Sequence, residues 1–335
     1  TMVYIVVINP GIMAAAGIDQ GAAFVATCLA AAIGSLLMGL LANYPIALAP
    51  GMGLNAYFAF AVVGGMGIPW PVALGAVFVS GLIFLAVSLL GFREWLINTI
   101  PLSLKLGIAA GIGFFLGFIG LQGMGLVVDN PATLVGLGAV ATPKVVLSCA
   151  GFLVIAGLVA RGVPGGIVLG IVLTAVAGIP FGLTTLAGVV SLPPSLAPTF
   201  GQLDISSALG LGLAGIVFTF FLVDLLDNAG TLIGTTHRAG LMNPDGTVPR
   251  LGRALLADSG GAIIGSVLGT STTTSYIESA AGIQAGGRTG LTAVTVAAVN
   301  RTTGLVTLSA APPNANGLAN VSIAFSKTVS GYADK

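Results

Sequence analysis

Three acidic residues, Asp224, Asp227 and Glu278, stand inside otherwise apolar segments of this 335-residue chain. Neither segment holds a Lys, Arg or His to neutralise them. A carboxylate at the centre of a membrane helix costs about 2.5–3.5 kcal/mol on insertion scales, so acids kept there generally meet a substrate, an ion or a proton. The pattern points to transport across a membrane.

Asp224 and Asp227 lie in GIVFTFFLVDLLDNAGTLIG at a spacing of three, which puts them on roughly one helix face. Thr231 continues that face four residues later. Glu278 belongs to a different segment, GTSTTTSYIESAAG. A carboxylate from each segment is suited to grip a planar heterocycle by its N–H edge through charge-assisted hydrogen bonds. Two like charges set close in a dry site compete to stay ionised, which makes one of them a proton carrier. Glu278, Asp227 and Asp224 are the candidates. The plainer reading of Asp224 is that it bonds neighbouring backbone, and Asp258 reads as structural. Tyr276, beside Glu278, is the aromatic best placed to stack on a ring. Phe58 is placed in the wall of the site, although aromatics on membrane helices usually pack. His237, the only histidine, reads as a solvated loop residue.

Two interrupted segments must position these groups. NYPIALAPGMGLNAYFAF carries Pro45, Pro50, Gly51 and Gly53, which do not sit comfortably in one helix. The run from Thr270 to Ser275 is rich in β-branched and hydroxyl residues and suits an extended strand. Extended backbone at membrane depth survives only where it is buried in protein or lines a cavity. Two such breaks far apart in sequence predict an inverted repeat with its site near the midplane and two short strands facing one another. The half-helices expected to open near Gly53 and Tyr276 would aim their positive ends at a ligand. Asn55 lies just past the first break, as Glu278 lies just past the second.

Composition agrees. The chain is 56% hydrophobic and 6% charged, with a mean hydropathy of +1.07, whereas soluble domains are about one quarter charged. It is read as an all-α polytopic membrane protein, multi-pass in the cell membrane. A net charge of +1 gives no sign of a nucleic-acid partner. Cys28 and Cys149 fall in apolar stretches and suggest neither a disulfide nor a metal site. No metal or cofactor is expected.

Apolar runs and Pro/Gly breaks mark eleven spans. These are a first span over 1–9, which reads as the end of a helix, and spans over 23–42, 46–65 (broken), 70–91 and 101–122. The rest cover 145–160, 164–179, 208–234, 254–269, 270–285 (broken) and the start of an eleventh over 289–299. Alternating sides puts the loops with Arg93, Lys105, Arg161, Arg238, Arg250, Arg253 and Arg288 on one face and only Lys144 on the other. That asymmetry predicts that the crowded face, and the N-terminus, are cytoplasmic. Arg301 interrupts the expected eleventh helix, and 300–335 reads as an atypical polar tail: either span 11 ends early and a soluble tail follows, or, the favoured reading, the end comes from a truncation or a reading-frame artefact.

The segments ALAPGMGLNAYFAF, FFLVDLLDNAGTLIG and GTSTTTSYIESAAGIQAGGRTGLTAV together resemble the azaguanine-permease-like branch of the nucleobase/cation symporter family. NPGIMAAAGID and GLVVDNPATLVGLG resemble it too, and the likeness covers about residues 1–297. The resemblance implies proton-coupled uptake of adenine, guanine or hypoxanthine. It also implies fourteen spans in two inverted repeats of seven, divided into a core (spans 1–4 and 8–11) and a gate (spans 5–7 and 12–14). On this chain that assigns 1–92 and 208–299 to the core and 93–207 to the gate, with spans 12–14 missing, so that only 10–11 spans remain. The family's span-8 acid falls on Asp227, its span-10 acid on Glu278 and its span-3 polar residue on Asn55. A homodimer through the gate is the family tendency.

Two other classes compete with a proton symporter. An anion transporter or channel of related fold should show a basic residue at the midplane, and this site is acidic. An intramembrane enzyme lacks a His cluster or a nucleophile–base pair. Sodium stays open as the alternative coupling ion.

Overall fold

The computed structural model describes residues 2–91, 99, 101–131, 133–163, 165–184, 193–210, 213–243, 247–284, 286–302, 306–311 and 320–325. Span numbers below follow the sequence order. Span 1 is the helix Ile5–Ala15, and span 2 runs Gln20–Leu37 with a wider coil to Ala42. Span 3 consists of strand β1 (Leu48–Pro50), a helix Met52–Ala56 and a wide coil Tyr57–Gly65. Span 4 is Trp70–Leu89 and span 5 Leu102–Met124, followed by a hairpin of β2 (Val127–Asn130) and β3 (Leu134–Leu137). Spans 6, 7, 8 and 9 are Pro143–Ala160, Gly166–Gly178, Ala214–Arg238 and Leu251–Leu268. Span 10 is strand β4 (Thr273–Ser275) followed by the helix Ser279–Gln284, and span 11 is Gly290–Thr302.

Among the described residues, five helices are long and apolar enough to cross a membrane: spans 2, 4, 6, 8 and 9. Large apolar side chains remain on the outside, among them Leu89, Phe114, Phe152 and Leu153. Unpartnered apolar surface of this extent is what a helix shows to lipid. This is a multi-pass membrane protein.

Contacts between span ends separate two faces. On one, Asn43 at the end of span 2 accepts from Gly290 N at 2.7 Å, and the Arg250 guanidinium lies 5.2 Å over the Tyr44 ring. Arg288 donates to Ala239 O at 3.1 Å on the same face. On the other, Asp204 N donates to Pro71 O at 2.9 Å, and Gly201 N to Val267 O at 2.8 Å. The ends of spans 2 and 8 and the starts of spans 9 and 11 therefore share one side, as strict alternation requires.

Several expected boundaries move. Span 1 continues through Pro10 to Ala15; membrane helices tolerate a proline because neighbours and local distortion absorb the freed carbonyl. Span 8 begins at Ala214 and ends at Arg238, so His237 and Arg238 belong to its last turn and not to a loop. Thr235 Oγ1 bonds back to Thr231 O at 2.6 Å and Thr236 Oγ1 to Leu232 O at 2.5 Å, which fits this polar stretch to a helix. Arg301 lies inside the span-11 helix and does not interrupt it. Beyond it, strands Val306–Ala311 and Asn320–Phe325 pair antiparallel. Arg93 lies outside the described residues.

Spans 2 and 11 touch backbone to backbone. A Cβ on Gly290 would come 2.0 Å from Gly39 O, and one on Gly39 would come 2.6 Å from Gly290 O. Small residues allow such close approach of membrane helices. Gly290→Ala is expected to force the helices apart at a cost of about 1–3 kcal/mol, as overpacking does. A lowered thermal midpoint of the purified protein is the readout, and an unchanged midpoint would show that the contact is loose.

Candidate functional site

The two breaks meet. β1 and β4 pair antiparallel, with Leu48 opposite Ser275, Ala49 opposite Thr274 and Pro50 opposite Thr273. Gly51 N to Thr272 O (2.8 Å) and Tyr276 N to Ala47 O (3.0 Å) extend the ladder at both ends. Both strands are buried. Each therefore satisfies the other's backbone where no water is available, which is what extended chain at membrane depth demands. Gly51 makes the crossing possible, because a Cβ there would lie 2.6 Å from Thr274 Cγ2.

The polar side chains around this crossing form three groups. In the first, Glu278 occupies the turn just before the short helix Ser279–Gln284, and its Oε1 accepts a hydrogen bond from the Tyr4 hydroxyl of the first span. The Asp227 carboxylate lies within electrostatic reach of Glu278 and Asp258. Tyr276 lies within reach of Tyr4, Asp227 and Glu278 and donates its own hydroxyl to Pro50 O at 2.7 Å. Asp227, Glu278 and Tyr4 are only half-buried, so this group keeps an accessible side. Thr231 is buried one helical turn beyond Asp227.

The second group is sealed. Asp224 and Asp258 are 2% and 0% exposed, and Asn228 Nδ2 donates to both, to Asp224 Oδ1 and Asp258 Oδ2, each at 2.8 Å. Asn228 Oδ1 in turn accepts from Ser275 N at 3.4 Å, which ties span 8 to β4. Asp224 thus bonds to span 8 and, through Asn228, to span 9, while Asp227 lies within electrostatic reach of both Asp258 and Glu278.

The third group centres on Asn9. It donates to Thr27 Oγ1 at 2.7 Å and Thr270 Oγ1 at 2.9 Å, and its Oδ1 accepts from Asn55 Nδ2. Asn55 is fully buried in this node, which links spans 1, 2, 3 and 10. Its described hydrogen bond goes to Asn9, and none joins it to Asp227 or Glu278. Nor does the structure bring Phe58 to the acids. Its ring is 0% exposed in an apolar cluster with Met13, Leu54, Val62, Val77 and Phe220.

Asn228, Asn9 and Tyr4 carry these groups, yet none was singled out from sequence. Uncharged polar residues in apolar helices were the available signal for the two asparagines. Tyr4 had none, because its partner lies 274 positions away. Among the described residues no set of three His, Cys, Asp or Glu side chains is arranged to hold a metal ion.

Residues 1–307 match the family model described as the Permease family (Xan_ur_permease). The chain belongs to this family. This permease is 49% identical over 296 residues to the adenine permease AdeP of Escherichia coli, covering 88% of this chain and 66% of that one. It is 50% identical over 306 residues to the guanine/hypoxanthine permease PbuG of Bacillus subtilis, covering 88% of this chain and 69% of that one. The permease therefore spans about two thirds of the length of these relatives. Its fold matches the transmembrane domain of a cyanobacterial bicarbonate transporter, BicA, with a TM-score of 0.63 and 16% identity over 88% of this chain and 77% of that one. At that identity the likeness concerns the fold alone. It agrees with the inverted-repeat architecture expected from the two broken spans.

Proposed function

We propose that this permease imports purine nucleobases by proton symport, with Asp227 and Glu278 accepting hydrogen bonds from the N–H edge of the ring. The observation that carries this reading is the approach of Asp227 and Glu278 from two different spans, beside the crossing strands and with an accessible side. The names of AdeP and PbuG support a purine as cargo. An acidic site suits neutral N–H donors and disfavours anions, so the likeness to a bicarbonate transporter's fold does not carry over to its cargo. Tyr276 offers an aromatic face to the ring, and Asn55 and Thr231 border the binding region. In this reading the face with Arg250 and Arg288 is cytoplasmic, as is the N-terminus. Residues 1–92 and 208–299 form the core that moves against a gate containing 93–207, and two copies pair through that gate. The cargo crosses unaltered, so the protein is not an enzyme.

Uptake of radiolabelled adenine, guanine, hypoxanthine, uracil and bicarbonate into vesicles holding the full chain tests the proposal. Purine uptake that collapses with a protonophore and persists without sodium is expected. Bicarbonate uptake without purine uptake would overturn the cargo, and sodium dependence would overturn the coupling ion.

A further inference from the structure

Tyr4 has no place in the mechanism so far, yet its hydroxyl bonds directly to Glu278. Its ring packs with Ile5, Ala31, Ala49 and Tyr276, between the first span and the crossing strands. The hydroxyl reaches Glu278 Oε1 across 274 positions of sequence, and Tyr276 stands within reach of both. An O–H donor of the protein thus occupies a position on the carboxyl group that a ring N–H would use. The two donors are chemically alike, and both approach a half-buried acceptor beside Asp227.

We propose that Tyr4 is a positioning residue: its hydroxyl latches Glu278, and an incoming base takes over that hydrogen bond. The inference rests on Glu278 being a substrate ligand, as proposed above. A bond that the base must displace lowers apparent affinity, because binding must first draw on the fraction of protein in which it is open. It also ties span 1 to span 10, so replacing it frees the two spans from one another as cargo arrives. The exchange leaves the acceptor satisfied before and after, so the half-buried carboxyl group never pays for an unmade bond.

Tyr4→Phe removes the donor and keeps the ring that packs against Ala31 and Ala49. Apparent purine affinity of the full chain in detergent is expected to rise, with KM falling about tenfold, the scale of one hydrogen bond to a charged group, and kcat falling less. A residue that served packing alone would change neither constant in this pattern. Unchanged or weakened affinity in a variant of normal thermal midpoint would overturn the latch. A second measurement does not depend on the cargo. Labelling of Glu278 by a hydrophobic carbodiimide, read against a Glu278→Gln blank, is expected to quicken in Tyr4→Phe, and an equal rate would also overturn it. If the wild type binds no purine while labelling still quickens, the cargo assignment fails and the latch stands.

Discussion

Glu278→Gln is expected to abolish purine uptake while the protein still inserts into the membrane in normal amount. Gln keeps the size of the side chain and one carbonyl acceptor, so packing beside Tyr276 survives. What goes is the charge. A hydrogen bond to a charged group contributes about 1.5–3 kcal/mol, or roughly 10- to 150-fold in affinity. The proton site goes with it, because an amide cannot take up and release a proton in this range. Asp227→Asn is expected to do the same, since Asp227 stands within electrostatic reach of Glu278 across two spans. The measurement is initial uptake rate divided by the amount of protein in the membrane. Wild-type uptake by either variant would remove that residue from the mechanism. Uptake that persists but no longer responds to a protonophore would assign the residue to coupling and not to binding.

The parts of this architecture that were legible in sequence are those where backbone chemistry leaves a local trace. Pro45, Pro50 and Gly51 cannot continue a helix, and Thr270 to Ser275 favour an extended chain, so β1 and β4 were visible before their pairing was known. The acids were visible because a charge in an apolar run is costly wherever it ends up. Tertiary satisfaction of neutral polar groups leaves no such trace. Asn9 and Asn228 gain their importance from partners on other spans, Thr270 for one and Asp258 for the other. The end of span 8 was misplaced because Thr235 and Thr236 look like loop residues until their hydroxyls are seen bonding back into the helix. The half-helix of span 10 opens at Ser279, three residues later than expected, because Tyr276 still bonds to Ala47 in the ladder. Phe58 packs into the apolar core. It stands four residues from both Leu54 and Val62, and all three share one buried apolar cluster. Helical spacing already favoured packing over a place in the site.

Asn228→Leu should be among the most destabilising single changes in the protein, although Asn228 carries no charge. Its amide nitrogen is a donor shared by two carboxyl groups that are 2% and 0% exposed. Leucine fills the space and takes the donor away. Removing one partner from a buried charged group typically costs about 3–5 kcal/mol, because the remaining charge stays desolvated. A fall in thermal midpoint on the order of 10 °C follows at the usual conversion for large domains, readable by fluorescence-detected size-exclusion after heating. Asn228→Asp provides the control. A carboxyl group at this position adds a third like charge at neutral pH and donates a hydrogen only when protonated, so the midpoint of that variant should start below that of Asn228→Leu and climb more steeply as the pH is lowered. The same network bears on Asp224. If it serves to join spans 8 and 9, then Asp224→Asn should lower the midpoint and leave the response of uptake to a protonophore intact. Loss of that response at normal stability would instead make Asp224 a carrier of the coupled proton.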